Sequence, residues 1–254
     1  MGHAIVTGSA SGIGAAVSDA LRKEGFDVVG IDLRNAEVEA DLSTPDGRRA
    51  AVAGAMDATG GRADRVVLCA GLGSHIEDLA LVASVNFFGA IDVLDGLKDG
   101  LAKGSDPAAV AICSNSARFG PFDDHPFVRA CLDADEARAR EIIAGENGFI
   151  AYAGSKNALA RALRHRAKSF GEAGIRLNGI APGPVQTPML ESTQDHPVYS
   201  KGFAALDIPL GRHATPEEIA AFILLMMGPA AAYMHGSIVY VDGGNDAATF
   251  PDRF

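Results

Sequence analysis

The run Thr7-Gly8-Ser9-Ala10-Ser11-Gly12-Ile13-Gly14 limits this chain more than any other stretch of its sequence. It joins a short β-branched segment, Ala4–Thr7, to an amphipathic one, Ile13–Glu24, which Gly25 stops. Glycine reaches left-handed and crowded backbone conformations that other residues resist. A strand, a tight turn and a helix are therefore expected in that order, and the same alternation continues down the chain. Val28–Ile31 reads as a second strand ending at Asp32, and Val38–Ala40 as a short third before a helix near Pro45. Val66–Leu68 is the fourth, followed by a helix from about Leu79 to Leu97, and Val110–Ile112 is the fifth. A long helix follows Tyr152 to about Phe170, then a strand over Ile175–Ile180. Thr215-Pro216-Glu217-Glu218 opens another helix with a cap, a first-position proline and a capping box, and Ile238–Val241 is the last strand. Strands separated by helices need crossover connections, so the pattern predicts an α/β fold with a doubly wound parallel sheet.

That architecture is of the Rossmann type, and with no linker or repeat it reads as one domain over residues 1–254. Two segments depart from the alternation. Residues 118–149 hold Pro121, Pro126, several aromatics and a helix expected over 133–143, and form an insertion between the fifth strand and the helix bearing Tyr152. Residues 184–211 hold four prolines with Met189, Leu190, Tyr199, Leu206 and Ile208. Loops of this length are commonly functional, and the apolar content points to lids, the second facing substrate. With 32 acidic against 22 basic residues the net charge is −10 and no basic run offsets it, which argues against nucleic acid or an anionic membrane as partner. The longest apolar stretch, Ala220–Met227, falls well short of the roughly 20 residues a bilayer span needs. The first residues enter a strand without a charged leader, so no secretory signal is expected. Cys69, Cys113 and Cys131 are too scattered for a disulfide framework, and reduced thiols in a cytoplasmic protein follow. The seven histidines show no metal-ligand spacing, so no metal is expected.

The glycine loop lets a backbone approach a pyrophosphate, which then meets the free N–H groups of a helix N-terminus. Its spacing is not G-x-G-x-x-G, and a chain with 30 glycines offers tight turns of no function; the strand before it and the acid after it favour a dinucleotide. Asp32, at the end of the second strand, suits the adenosine ribose hydroxyls and repels a 2′-phosphate. Arg34 is near, but Ser9, Ala10 and Ser11 bring no cation, so NAD is expected over NADP; a solvated strand-end acid is the plainer alternative. Tyr152 and Lys156 lie at i and i+4 on one helix face. A phenol that titrates near 10 needs a shift of about two units, about 3 kcal/mol, to serve as a base near neutrality. A neighbouring ammonium and an oxidised nicotinamide ring supply it. Ser114 follows the fifth strand at the carboxyl edge, where a hydroxyl can hold a carbonyl or alkoxide oxygen, with Ser116 as competitor. Asn86, a mediocre helix former inside an expected helix, reads either as a water bridge in a proton relay or as an ordinary polar residue. The charged runs Arg161–Lys168 and Asp133–Glu141 read as solvated faces. Phe119, Phe122, Phe127 and Phe149 either line a cleft or pack the insertion.

Together these residues resemble the short-chain dehydrogenase/reductase family over nearly the whole chain. The resemblance rests on TGSASGIG at 7–14, Asp41-Leu42, Cys69-Ala70-Gly71, Asn86, Ser114, YAGSK at 152–156, and Pro182-Gly183 with Thr187. It implies Tyr152 as general acid/base, Lys156 as the group that lowers its pKa and binds the nicotinamide ribose, Ser114 as the residue orienting the substrate oxygen, and Asn86 as part of a proton path. It further implies cofactor contacts at Gly8, Ser11, Gly12, Ile13, Gly14, Asp32, Ala70, Gly71, Pro182, Gly183 and Val185. Asp41 and Leu42 would flank adenine, and Thr187 would meet the carboxamide. Cys69 stands where many relatives have asparagine, Gly71 and Asn86 are only 15 positions apart, and Ser114 and Tyr152 are 38 apart. That combination is similar to the bacterial 3α-hydroxysteroid dehydrogenase/carbonyl reductase group. The implied activity is NAD(H)-dependent interconversion of a secondary alcohol and a ketone on an apolar cyclic substrate, a hydroxysteroid first and an aromatic or terpenoid alcohol second. The insertion remodels a helix face many relatives use for tetramers, which implies a homodimer. The reading from another class, a non-catalytic dinucleotide sensor, sits poorly with the complete set Asn86, Ser114, Tyr152 and Lys156.

Overall fold

The computed structural model describes residues 2–252, apart from the side chains of Phe203 and Ala204; the outermost residues of the expected 1–254 unit lie outside the described residues. Seven strands form one parallel sheet in the order β3-β2-β1-β4-β5-β6-β7. They are β1 His3–Thr7, β2 Asp27–Asp32, β3 Val38–Glu39, β4 Arg65–Leu68, β5 Ala108–Ile112, β6 Arg176–Pro182 and β7 Ile238–Val241. Because side chains alternate across a strand, Ile5, Val29, Val66 and Ala109 point to one face, where α2 (Pro45–Ala58), α4 (Ala90–Leu101) and α7 (Gly148–Glu172) cover them. Ala4, Val6, Val67 and Val110 point to the other, beneath α1 (Gly12–Lys23) and α10 (Pro216–Met227). Both faces are dry, as a parallel sheet requires. The strand order reverses beside β1, between β1 and β4, and a crevice opens at the carboxyl edge there.

The doubly wound sheet expected from the sequence is present, with strand limits close to those read. The helices required more correction. The helix expected over 79–97 is α3 (Leu79–Ala83), a π-helical turn (Ser84–Gly89) and then α4, continuous to Leu101. Taken as one run, Leu79–Leu101 is long and apolar enough to cross a bilayer, which counting uninterrupted apolar residues did not reveal; 61% of its most apolar window is buried inside the fold. The insertion carries α5 (Pro126–Leu132), which was not anticipated, and α6 (Glu136–Ile143), inside the limits expected for a single helix. α7 begins before Tyr152, because the Asn147 side chain accepts from Ile150 N at 3.0 Å and caps the helix at Gly148. The second irregular segment contains α8 (Pro188–Gln194) and α9 (Ser200–Ala204). The capping box at Thr215 and Glu218 forms as read, and α11 (Asn245–Thr249) follows β7.

Candidate active site

At the reversal point lies a cleft of about 830 Å³. Every expected cofactor position lines it: Gly8, Ser11, Gly12, Ile13, Gly14, Asp32, Asp41, Leu42, Ala70, Gly71, Tyr152, Lys156, Pro182, Gly183, Val185 and Thr187. Ser114 and its competitor Ser116 line it too, whereas Asn86 is fully buried behind the wall.

The glycines of the loop are there for space. Gly8 has φ +69°, and a Cβ on it would stand 2.7 Å from Ala70 N; Gly12 has φ +52°, and its Cβ would face Thr187 at 3.2 Å. A Cβ on Gly14 would stand 2.0 Å from Gly8 O. The N-cap Ser11 offers no side-chain bond, so the first N–H groups of α1 are left for a ligand. Asp32 accepts from Ala10 N at 3.0 Å and Leu33 N at 2.7 Å, tying the loop to the end of β2. Thr7 Oγ1 accepts from both Cys69 N and Ala70 N at 3.1 Å, locking the ends of β1 and β4 together.

Lys156 reaches inward from α7 and donates from Nζ to Ile112 O, the last carbonyl of β5, at 2.7 Å. Ser114 Oγ and Ser116 Oγ are 2.9 Å apart, and Ser114 caps the short 3₁₀ turn Asn115–Arg118. Asn86 uses its whole amide: Oδ1 accepts from Leu72 N at 2.7 Å, while Nδ2 donates to Leu72 O at 2.9 Å and Ser155 Oγ at 3.3 Å. The π-helical turn aims it at the loop after β4, a distortion of the kind that marks functional positions in helices.

The family model for "short chain dehydrogenase" matches residues 2–124, and one for "Enoyl-(Acyl carrier protein) reductase" matches 135–246. The chain is 46% identical to the 3-alpha-hydroxysteroid dehydrogenase/carbonyl reductase of Comamonas testosteroni, over 98% of each chain. It belongs to the short-chain dehydrogenase/reductase family. It is also 32% identical to the short-chain reductase protein NovJ of Streptomyces niveus, over 95% of this chain and 92% of the other. Among solved structures, the 3-alpha-hydroxysteroid dehydrogenase from Pseudomonas sp. B-0831 complexed with NADH superposes with a TM-score of 0.97 at 43% identity, over 99% of this chain and 100% of that one.

Within the protein itself, burial dominates the electrostatics of the tyrosine. Tyr152 keeps part of its surface open to the cleft, yet protein encloses it closely enough for burial to raise its phenol; the Ser114 hydroxyl, as hydrogen-bond partner, pulls the other way, and the Cys113 thiol raises it further. Burial also lowers the pKa of the Lys156 ammonium. Burial likewise pushes the thiols of Cys69 and Cys113 up to about 12, so both act as small apolar groups.

Of the four phenylalanines, Phe119 and Phe149 line the cleft, while Phe122 and Phe127 are core residues of the insertion. The segment after β6 covers the cleft: His75 Nδ1 meets Thr193 Oγ1 at 2.9 Å, and a Cβ on Gly148 would stand 2.5 Å from Tyr199 Oη. No site role was expected of Thr7, Leu72, Ser155 or Ile112, although Thr7 opens the TGSASGIG run. Ser155 at least lies inside the YAGSK run, whereas Leu72 and Ile112 act through backbone atoms and leave no side-chain signal. Glu136 leaves the solvated face assigned to 133–141 and bonds the buried Arg48, while Arg140 stays exposed and donates from Nη1 to Ser84 Oγ at 2.7 Å.

Proposed function

We propose that this protein is an NAD(H)-dependent oxidoreductase that interconverts a secondary alcohol and a ketone on an apolar cyclic substrate, a 3α-hydroxysteroid foremost. The observation that carries the proposal is one cleft with the glycine loop at one end and Ser114, Tyr152 and Lys156 at the other, walled between by Leu72, Phe119, Phe149 and Met189. Such walls suit a ligand with few polar anchors. The printed activity of the Comamonas relative and the NADH of the Pseudomonas structure support the substrate class and the cofactor.

The residues present fit a dinucleotide. Side chains are excluded at Gly8 and Gly14, α1 has unbonded N–H groups, and Asp32 presents a carboxylate with lone pairs beyond its two backbone bonds. Asp41 and Leu42 would border the adenine and Thr187 the carboxamide, with Ala70, Gly71, Pro182, Gly183 and Val185 along the path between. When bound, the nicotinamide supplies or removes the hydride at the carbinol carbon. Tyr152 gives its phenolic proton to the ketone oxygen in reduction and takes the alcohol proton in oxidation. Ser114 holds that oxygen, and its bond to the phenol offsets part of the burial that keeps Tyr152 protonated. Lys156, fixed on Ile112 O, would hold the nicotinamide ribose with its ammonium. Asn86 Oδ1 and Lys156 Nζ approach one point above Gly71, 3.3 and 3.5 Å from where its Cβ would be, which supports a proton path through that corner.

The proposal extends to a single domain over 1–254 with 118–149 as insertion and 184–211 as substrate loop, to a homodimer, and to a cytoplasmic setting. A panel of steroidal, aromatic and terpenoid secondary alcohols, followed by NADH absorbance, tests the function. Turnover of hydroxysteroids is expected. Turnover of aromatic or terpenoid alcohols alone replaces the substrate class, for which the Phe119 and Phe149 walls leave room. Tyr152→Phe should lose turnover by orders of magnitude and still bind NADH; a variant that loses turnover but keeps full biological activity in the cell would leave a dinucleotide sensor as the better reading.

A further inference from the structure

Arg48 of α2 is 2% exposed, and every N–H of its guanidinium is engaged. Nε donates to Leu42 O at 2.8 Å, and Nη2 to Ser43 O at 3.1 Å and Ser84 O at 3.3 Å. Both terminal nitrogens reach Glu136 at 2.7 Å, a bidentate pair, and Nη1 also meets Asp92 at 3.1 Å. Three segments far apart in sequence thus close on one cation: the Leu42-Ser43 turn, whose Leu42 lines the cleft, the π-helical turn that carries Asn86, and α6 of the insertion. The contact is tight, since a Cβ on Gly89 of that turn would stand 3.0 Å from Leu42 O.

A buried guanidinium is costly to hold unless its charge is matched. Glu136 is the less exposed of its two carboxylate partners, at 21% of its side chain against 50% for Asp92. Burial raises the Glu136 carboxyl, but bonds from Arg48 and Ser84 and the charges of Arg48 and Arg140 outweigh it and hold it below its usual range. With Glu136 neutral, the half-exposed Asp92 is the only carboxylate left among the partners named for the buried guanidinium.

We infer that α6 of the insertion is a positioning element for the adenosine end of the cofactor: Glu136 seats Arg48, and Arg48 holds the backbone of Leu42 and Ser43 in the shape of the adenine wall. The inference rests on the dinucleotide reading of the cleft and gives the insertion a role separate from lid or subunit contact. A brace that merely docks α6 would lower thermal stability without touching nucleotide affinity.

Glu136→Gln keeps the shape of the side chain and removes its charge. NADH binding, followed by isothermal calorimetry well below the melting transition, should weaken by about tenfold. AMP, which occupies only the adenosine end, should weaken by the same factor. At saturating NAD⁺ kcat should stay within about threefold while KM for NAD⁺ rises. Glu136→Asp, which keeps the charge, should recover part of the affinity, and Arg138→Ala, an exposed residue on the same helix, should leave AMP binding unchanged. Unchanged NADH and AMP affinities in a Glu136→Gln protein that melts earlier would overturn the inference and leave a structural brace. Should that variant not fold, hydrogen exchange on the wild-type protein decides. AMP should slow exchange in residues 136–143 together with 42–48, and protection confined to the latter would overturn the inference. A wild-type protein that binds neither NADH nor AMP sinks the dinucleotide reading itself, a result distinct from affinities that Glu136 does not change.

Discussion

Gly14→Ala sets two effects of known sign against each other. Gly14 is the third residue of α1, where alanine is the better helix former by about 1 kcal/mol. The added Cβ, however, would stand 2.0 Å from Gly8 O and 2.6 Å from Gly8 C, against a floor of 3.0 Å for real contacts. Relief needs a separation of about 1 Å, and the Cβ of Cys69, 3.3 Å away on another side, limits where the methyl can go. The Gly8 peptide cannot yield freely either, because its N–H is bonded to Ile31 O at 2.8 Å. The first turn of α1 must therefore draw back from the loop. Charge-assisted bonds from backbone N–H groups to a phosphate contribute about 1.5–3 kcal/mol each. Losing two weakens dinucleotide binding by about 3–6 kcal/mol, or about a hundredfold to ten-thousandfold. Stability should fall by only about 1–3 kcal/mol, the usual cost of overpacking, with part offset by helix propensity. NADH titration by fluorescence and a thermal melt of the same sample measure both. A variant that binds NADH within about threefold of wild type would show that the loop does not cradle the pyrophosphate.

Asp32→Ala should erode the preference for NADH over NADPH and also weaken NADH itself, because the carboxylate holds Ala10 N and Leu33 N; the ratio of kcat/KM for the two cofactors is the measurement, and an unchanged ratio removes Asp32 from the ribose. Burial raises the Tyr152 phenol, so the acid form persists to higher pH: ketone reduction should be flat through neutrality and fall only on the alkaline side, while alcohol oxidation climbs with pH. Ser114 opposes that shift, so in Ser114→Ala the alkaline limb should move further up as the rate falls; a downward move would contradict the assigned hydrogen bond. Thr215→Ala removes one half of the α10 capping box and should cost about 1 kcal/mol in a denaturant melt. The bond from Arg212 and the Thr215 N–H hold Glu218 down to about 2, so the box works above the ordinary carboxylate range and fades only as pH falls towards that value.

What the sequence disclosed and what it withheld divide by the range of the interaction. The glycine loop, the strands and the Thr215 cap depend on neighbours a few residues away, so their residue types announce them. Asn86 stood out as a poor helix former, but its partner is the backbone of Leu72, and a backbone carbonyl or N–H has no residue code. The same holds for Lys156 on Ile112 O, 44 positions apart. The Tyr152 phenol answers to both ranges at once. The spacing to Lys156 places an ammonium on the same helix face, which lowers a phenol, while the burial that raises it comes from whichever segments fold over the cleft. Glu136 misled for a related reason. In a helix with four charged residues among eight, the solvated-face reading is the sound local inference, and only the approach of Arg48 from 88 positions away overturns it. A buried cation then selects one glutamate from an otherwise exposed helix, and the insertion that seemed most independent of the nucleotide fold becomes bonded to its wall.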